Sequence, residues 1–216
     1  MKKSFRTFVA VEITGPIRAR AKELIESLAG TPADVKWVET HNLHLTLKFL
    51  GEVREQEIFE VCRAVERGAA KVEPFELEGC GAGAFPNAAR PRTLWLGARE
   101  GTEPMIQLHD CIEAELAELG YREEHRRFQV HLTIGRVRGG ENGKRGPSPF
   151  GRRPSSAKSD RSTDDGIVEL GELVQLQTDF EAGSMTVDKV AVFSSTLTSD
   201  GPIYEKLGTS TLGGKT

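Results

Sequence analysis

Apolar and polar positions change period several times along the chain, and each change marks an element. Phe5 to Ile13 has a period of two and is rich in Phe and Val, which predicts an opening strand. Thr14-Gly15-Pro16 fits a helix start, Ile17 to Leu28 carries the helical period, and Gly30 closes it. A short strand at Val35 to Val38 and a longer one at Leu43 to Phe49, ended by Gly51, come next. Glu55 to Lys71 is helical, with Ile58, Val61, Cys62 and Val65 on one stripe. Phe75 to Leu77 opens a strand that Gly79, Gly81 and Gly83 turn, and Phe85-Pro86 leads into a loop holding Asn87 and Arg90. Arg92 to Gly97 predicts a strand, Pro104 to Leu119 a helix stopped by Gly120, and Phe128 to Val137 another strand. Val168 to Phe180 and Ser184 to Thr196 read as late strands, and Ile203-Tyr204 ends the ordered part.

Two of these strands carry near-copies of one phrase, His44-Leu45-Thr46-Leu47 and His131-Leu132-Thr133-Ile134. In a strand, residues two apart share a face. Each phrase therefore sets one imidazole beside one hydroxyl, with apolar residues turned the other way. The histidines are 87 residues apart, and each half of the chain holds helices and one such strand. The pattern predicts an α+β fold of two pseudo-symmetric lobes, each a small, mostly antiparallel sheet with outer helices, flanking a central cleft. The whole chain, 1–216, reads as one bilobal domain.

Two imidazoles across a cleft supply an acid and a base near neutral pH, and two hydroxyls can hold an anionic oxygen. That set suits phosphodiester chemistry without a metal or other cofactor. A lone strand histidine is usually structural, but packing does not explain a matched pair with matched threonines. His41, three residues before His44, suggests a metal pair, yet no carboxylate or thiolate stands at a convincing spacing, so it reads as a loop residue. His109 falls in a helix and His125 in a polar loop, neither with an evident partner. Phe8, Phe49 and Trp95 read most simply as core, with Phe8 and Phe49 also candidates for shaping a base or ribose pocket.

Charge changes the picture in one place. The chain has 216 residues and a formal net charge of -3. Arg138 to Arg161 holds seven basic and two acidic residues, a local +5 that leaves the rest near -8. Residues 138–166 are rich in Gly, Ser, Pro and Arg and cannot bury enough apolar surface to order themselves. They predict a flexible basic insertion, either a solvated loop or an arm touching RNA phosphates. Cys62, Cys80 and Cys111 lie far apart with no C-x-x-C, which argues against a disulfide framework or zinc knuckle. The apolar stretch Phe8 to Val11 is too short for a signal peptide, and no run reaches membrane-spanning length. The expectation is a soluble cytoplasmic monomer with no membrane partner.

H-L-T-L-K-F-L-G at 44–51 and H-L-T-I-G-R at 131–136 resemble the paired signatures of the 2H phosphoesterase superfamily. More narrowly, the chain resembles the bacterial and archaeal RNA 2',3'-cyclic phosphodiesterases, also called 2'-5' RNA ligases. The likeness extends to Arg6 to Val11, Trp37-Val38, Gly83 to Pro86, Arg92 to Gly97, Phe193 to Ser195 and Gly201 to Tyr204. It leaves out the basic insertion and the last few residues. Two departures stand out: Val130 where the family often has Pro, and the insertion after Arg136. The resemblance implies an RNA or nucleotide ending in a 2',3'-cyclic phosphate as substrate. It implies His44 as proton donor to the leaving 3' oxygen and His131 as the acceptor that activates water. It implies Thr46 and Thr133 on the nonbridging phosphate oxygens and Arg136 near the phosphate. By residue type alone the two histidines are interchangeable, and on an ideal strand Arg136 faces away from His131. Three readings stay open beside this one: a nucleotide-binding module without turnover, a metal-dependent hydrolase using the histidines as ligands, and a phosphodiesterase for another substrate, such as ADP-ribose cyclic phosphate or 2'-5' oligonucleotides.

Overall fold

The computed structural model describes residues 3–124, 127–138, 161–199 and 201–213. The elements run β1 (Ser4–Glu12), α1 (Gly15–Leu28), β2 (Val35–Trp37), β3 (His44–Arg54), α2 (Ile58–Ala69), β4 (Phe75–Phe85), β5 (Thr93–Ala98), α3 (Thr102–Glu118), β6 (Leu132–Val137), α4 (Arg161–Gln175), β7 (Glu181–Val187), β8 (Lys189–Leu197) and β9 (Pro202–Thr211). Two antiparallel sheets result, one ordered β3-β1-β8-β9 and the other β2-β6-β5-β4-β7. Helices α2 and α3 pack together, α2 against β8 and β9 and α3 against β3; α1 and α4 cover the second sheet. One continuous apolar core joins these layers, from Val9 and Val11 through Leu24, Leu77 and Leu94 to Leu132. No helix among the described residues is long and apolar enough to cross a membrane.

Two lobes with outer helices are present, but they are not the two halves of the chain. β1 pairs with β8 and β2 with β6, while α1 leaves the first sheet to cover the second. Hydrogen bonding between distant strands sets this arrangement, and local periodicity carries no record of it. β1 sits inside its sheet and buries Thr7 to Val11 without alternation, as a strand covered on both faces must.

Several boundaries differ from the sequence pattern for definite reasons. Glu55 to Glu57 forms a 3-10 turn ahead of α2. The strand expected at Val168 to Phe180 is helix α4, whose Leu170 and Val174 are buried one turn apart. That helix begins at Arg161 and takes in the last six residues of the expected insertion; residues 139–160 lie outside the described residues, as does His125. The chain does not end its order at Tyr204: β9 continues as a polar edge strand to Thr211 against β8. The glycines expected to turn the chain after Leu77 lie inside β4, which shifts register between Gly79 and Ala82 and runs on to Phe85. Gly51 does not end β3 either. It takes a positive φ of 73° inside the strand, at a register shift that leaves Leu50 unpaired with β1.

Candidate active site

β3 and β6, the two strands of the repeated phrase, meet where the sheets approach. His44 opens β3, and His131 immediately precedes β6. Both rings are held the same way. His44 Nδ1 lies 2.7 Å from the Asn42 carbonyl oxygen, and His131 Nδ1 lies 2.7 Å from that of Gln129. A carbonyl oxygen only accepts, so in each ring Nδ1 carries the donated proton and Nε2 is left for other partners. The bond spans two residues back in both cases, so one local device is used twice.

The rest of each phrase repeats as well. β3 keeps its parity from His44 to Thr46 and then bulges: Ala10 pairs with Thr46 and Val9 with Lys48, skipping Leu47. β6 does the same against β5: Trp95 pairs with Thr133 and Leu94 with Gly135, skipping Ile134. A bulge reverses which face later residues take. Phe49 and Arg136, each three beyond the threonine, are thereby returned to the cleft. The ideal-strand expectation that Arg136 faces away from His131 is corrected by the bulge at Ile134.

A cavity of about 640 Å³ lies between the sheets, lined among others by Thr46, Phe49, Arg92, His131, Thr133 and Arg136. Four of the five expected site residues thus share one cavity. His44 lies two residues along the same face from Thr46 and opens on a smaller space of about 240 Å³ beside Phe8, Asn42, Tyr204 and Lys206. Its ring packs 4.9 Å from Phe8 and edge-on to Tyr204 at 5.2 Å, while His131 meets Phe85 edge-on at 5.1 Å. Burial pushes the His44 imidazole below its ordinary value, and the bond to Asn42 opposes this in part. Burial raises the Tyr204 phenol, and the Arg136 guanidinium pulls it back. The His44 pocket and the Arg136 side of the cleft are therefore within electrostatic reach of each other.

Some features escape the expected set. Arg92 and Arg127 join Arg136 on the cleft wall, with Glu124 the one acidic side chain among its lining residues. That balance suits a polyanion. Phe49 is no core residue: its ring is 64% exposed at the cavity, whereas Phe8 is buried with Phe193. Trp95 also lies outside the core and packs 5.4 Å from Phe85.

Behind the site lies a buried charged group. The bulge at Leu47 turns Lys48 inward, where it is 3% exposed. Its Nζ donates to Glu113 Oε1 at 2.5 Å and to the Arg122 carbonyl at 2.9 Å. His109 Nε2 stands 3.7 Å from the same carboxylate, and its ring stacks on Phe128 at 4.2 Å. Phe128 lines the cleft. The sequence held a signal for this: His109 and Glu113 occupy the stripe of α3 that otherwise buries Met105, Leu108, Ile112 and Leu116. Among the described residues, no three His, Cys, Asp or Glu side chains converge as a metal site.

Known proteins resemble the chain throughout. RNA 2',3'-cyclic phosphodiesterases of Methanothermobacter thermautotrophicus and Archaeoglobus fulgidus are each 34% identical to it; the matches cover 92% and 94% of this chain and 94% and 97% of theirs. The crystal structure of TT0787 of Thermus thermophilus superposes with a TM-score of 0.71 at 26% identity, over 98% of this chain and all of that one. Escherichia coli LigT, crystallised with 3'-AMP, shares the fold, with a TM-score of 0.68 at 22% identity over 97% of this chain and 99% of its own. The model of the 2'-5' RNA ligase superfamily matches residues 15–142, from α1 past the second histidine phrase, and with relatives alike over nearly their full lengths the chain belongs to that superfamily.

Proposed function

We propose that the protein hydrolyses RNA 2',3'-cyclic phosphate ends to 2'-phosphomonoesters, without a metal, using His44 as proton donor and His131 as proton acceptor. The observation that carries this is the duplicated device: two imidazoles held through Nδ1 by the carbonyl two residues back, each beside a threonine at the cleft. His131 Nε2 takes a proton from water as the oxygen attacks phosphorus. The P–O3' bond breaks, and His44 Nε2 gives its proton to the departing 3' oxygen. The phosphate keeps its bond to O2'. Thr46, Thr133 and Arg136 take the nonbridging oxygens, on which charge grows in the transition state. A 5'-hydroxyl in place of water gives a 2'-5' linkage by the same steps.

The test is turnover of an RNA ending in 2',3'-cyclic phosphate, in EDTA, with the product isomers resolved. Full activity in EDTA with the 2'-phosphate as product is expected. Loss of activity in EDTA, restored by a divalent cation, sinks the metal-free reading, and a 3'-phosphate product reverses the bond assigned to break.

The shifted His44 gives a second expectation. A donor must be protonated, and a lowered pKa means that its proton is lost at a lower pH than from an ordinary histidine, near 6.5. The two limbs report the lower and the higher of the histidine values whichever ring is the acid, so the acid limb of kcat/KM lies below about 6.5. Bound anionic phosphate favours the imidazolium, so the corresponding limb of kcat lies at higher pH. A flat kcat/KM profile from about pH 5 to 9 contradicts paired imidazole catalysis.

A further inference from the structure

A second cavity, of about 670 Å³, lies beside the catalytic cleft and has been given no role above. Cys80, Ala82, Trp95, Arg127, Phe128 and Gln129 are among its walls. Arg127, Phe128 and Gln129 also line the cleft, so a single strip of chain stands between the two spaces. That strip is fixed at both sides: Phe128 is stacked on buried His109, and the Gln129 carbonyl holds His131.

Trp95 is the unusual wall. The residue opposite it on β4 is Gly83, where a Cβ would fall 2.2 Å from the indole. Two residues along β5 is Gly97, where a Cβ would fall 3.1 Å from the far edge of the same ring. With both neighbours bare, the indole lies down along the sheet. Its Nε1 is buried without a hydrogen-bond partner among the described residues. Hydrogen bonding therefore does not account for the indole. Its broad aromatic face at a cavity wall does. Aromatic faces hold nucleobases by stacking, with little regard to sequence. Two ring contacts, 5.4 Å from Trp95 to Phe85 and 5.1 Å from Phe85 to His131, link this platform to the catalytic histidine.

We infer that the second cavity is a subsite for the base of the nucleotide preceding the cyclic-phosphate end, stacked on Trp95, with Arg127 facing the phosphate that joins the two nucleotides. This rests on the RNA phosphodiesterase reading and extends it: the enzyme selects a strand end over a free cyclic mononucleotide.

The experiment compares kcat/KM for adenosine 2',3'-cyclic phosphate with that for the dinucleotide ApA bearing a 2',3'-cyclic phosphate. Wild type should favour the dinucleotide by about 5- to 150-fold, the range of one stacked base. The ratio should collapse toward one in Trp95→Leu and in Cys80→Phe, which fills the cavity from another wall, and should largely survive in Trp95→Phe. Because each ratio is taken on one protein preparation, partial misfolding cancels. A wild-type ratio near one overturns the inference, as does a ratio that both disruptive variants leave intact. If neither substrate turns over, the hydrolytic reading fails by itself. Calorimetry with the 2'-phosphorylated products then decides the subsite: tighter binding of the dinucleotide than of 2'-AMP upholds it, and equal binding removes it.

Discussion

Replacing either His44 or His131 with alanine is expected to lower kcat by about 100- to 10,000-fold, the usual worth of one positioned acid or base, or about 3–5 kcal/mol of barrier. Folding should survive both changes. Each ring is only half-buried, and its Nδ1 bond is to a carbonyl beside water-accessible space. In the proposed mechanism acid and base act in one transition state, so the double variant should be no slower than the more damaged single one by more than about tenfold. Multiplicative losses in the double variant would mean that the rings contribute independently rather than as a unit. A His44→Ala variant at full rate would remove this site from the chemistry. The measurement is kcat at saturating cyclic phosphate, with circular dichroism confirming the fold.

Lys48→Met should be the most destabilising single change within reach of the site. It leaves the Glu113 carboxylate buried without its cation and the Arg122 carbonyl without its donor. Breaking a buried pair by removing one partner costs about 3–5 kcal/mol. In a chain of this size that lowers Tm by roughly 6–20 °C. Glu113 Oε2 already has no hydrogen-bond partner among the described residues, and His109 Nε2, 3.7 Å from Oε1, stands beyond hydrogen-bond reach. The double change Lys48→Met, Glu113→Leu removes both charges and should recover most of the loss, since an apolar pair can replace a buried ion pair at little cost. Calorimetric scans of the three proteins test this. A Lys48→Met protein that melts with wild type would show that the pair contributes nothing.

Where the pattern along the chain depends on neighbours two or four residues away, the fold is readable from it. The helices α1, α2 and α3 and the pairing of each histidine with its threonine are of this kind. Four features depend on distant partners, and local period does not report them. α4 reads as a strand because Val168, Leu170 and Leu173-Val174 satisfy short apolar runs of either type; burial of one helical stripe decides it. The glycines of β4 read as turn formers because what they make room for lies on other elements: the Trp95 ring at Gly83, Ala182 at Gly79 and the Thr178 carbonyl at Gly81. The facing of Arg136 follows from a one-residue slip between β5 and β6, and no spacing along β6 reports it. Lys48 reads as one polar residue in an apolar run, and only α3 packing against β3 supplies its partner.

The paired bulges have a consequence for handedness. Up to the threonine the two phrases match in sequence, in the Nδ1 bond and in the bulge, so by themselves they give a substrate no reason to lie one way round rather than the other. Three residues past each threonine the match ends, with a phenyl ring at position 49 and a guanidinium at position 136. A nucleotide is itself polar, with a base at one end and an anion at the other. Ring and cation, lining one cavity, answer those two ends differently. On the proposed mechanism, the way round that these two rim residues favour decides which imidazole meets the leaving oxygen and which meets the water.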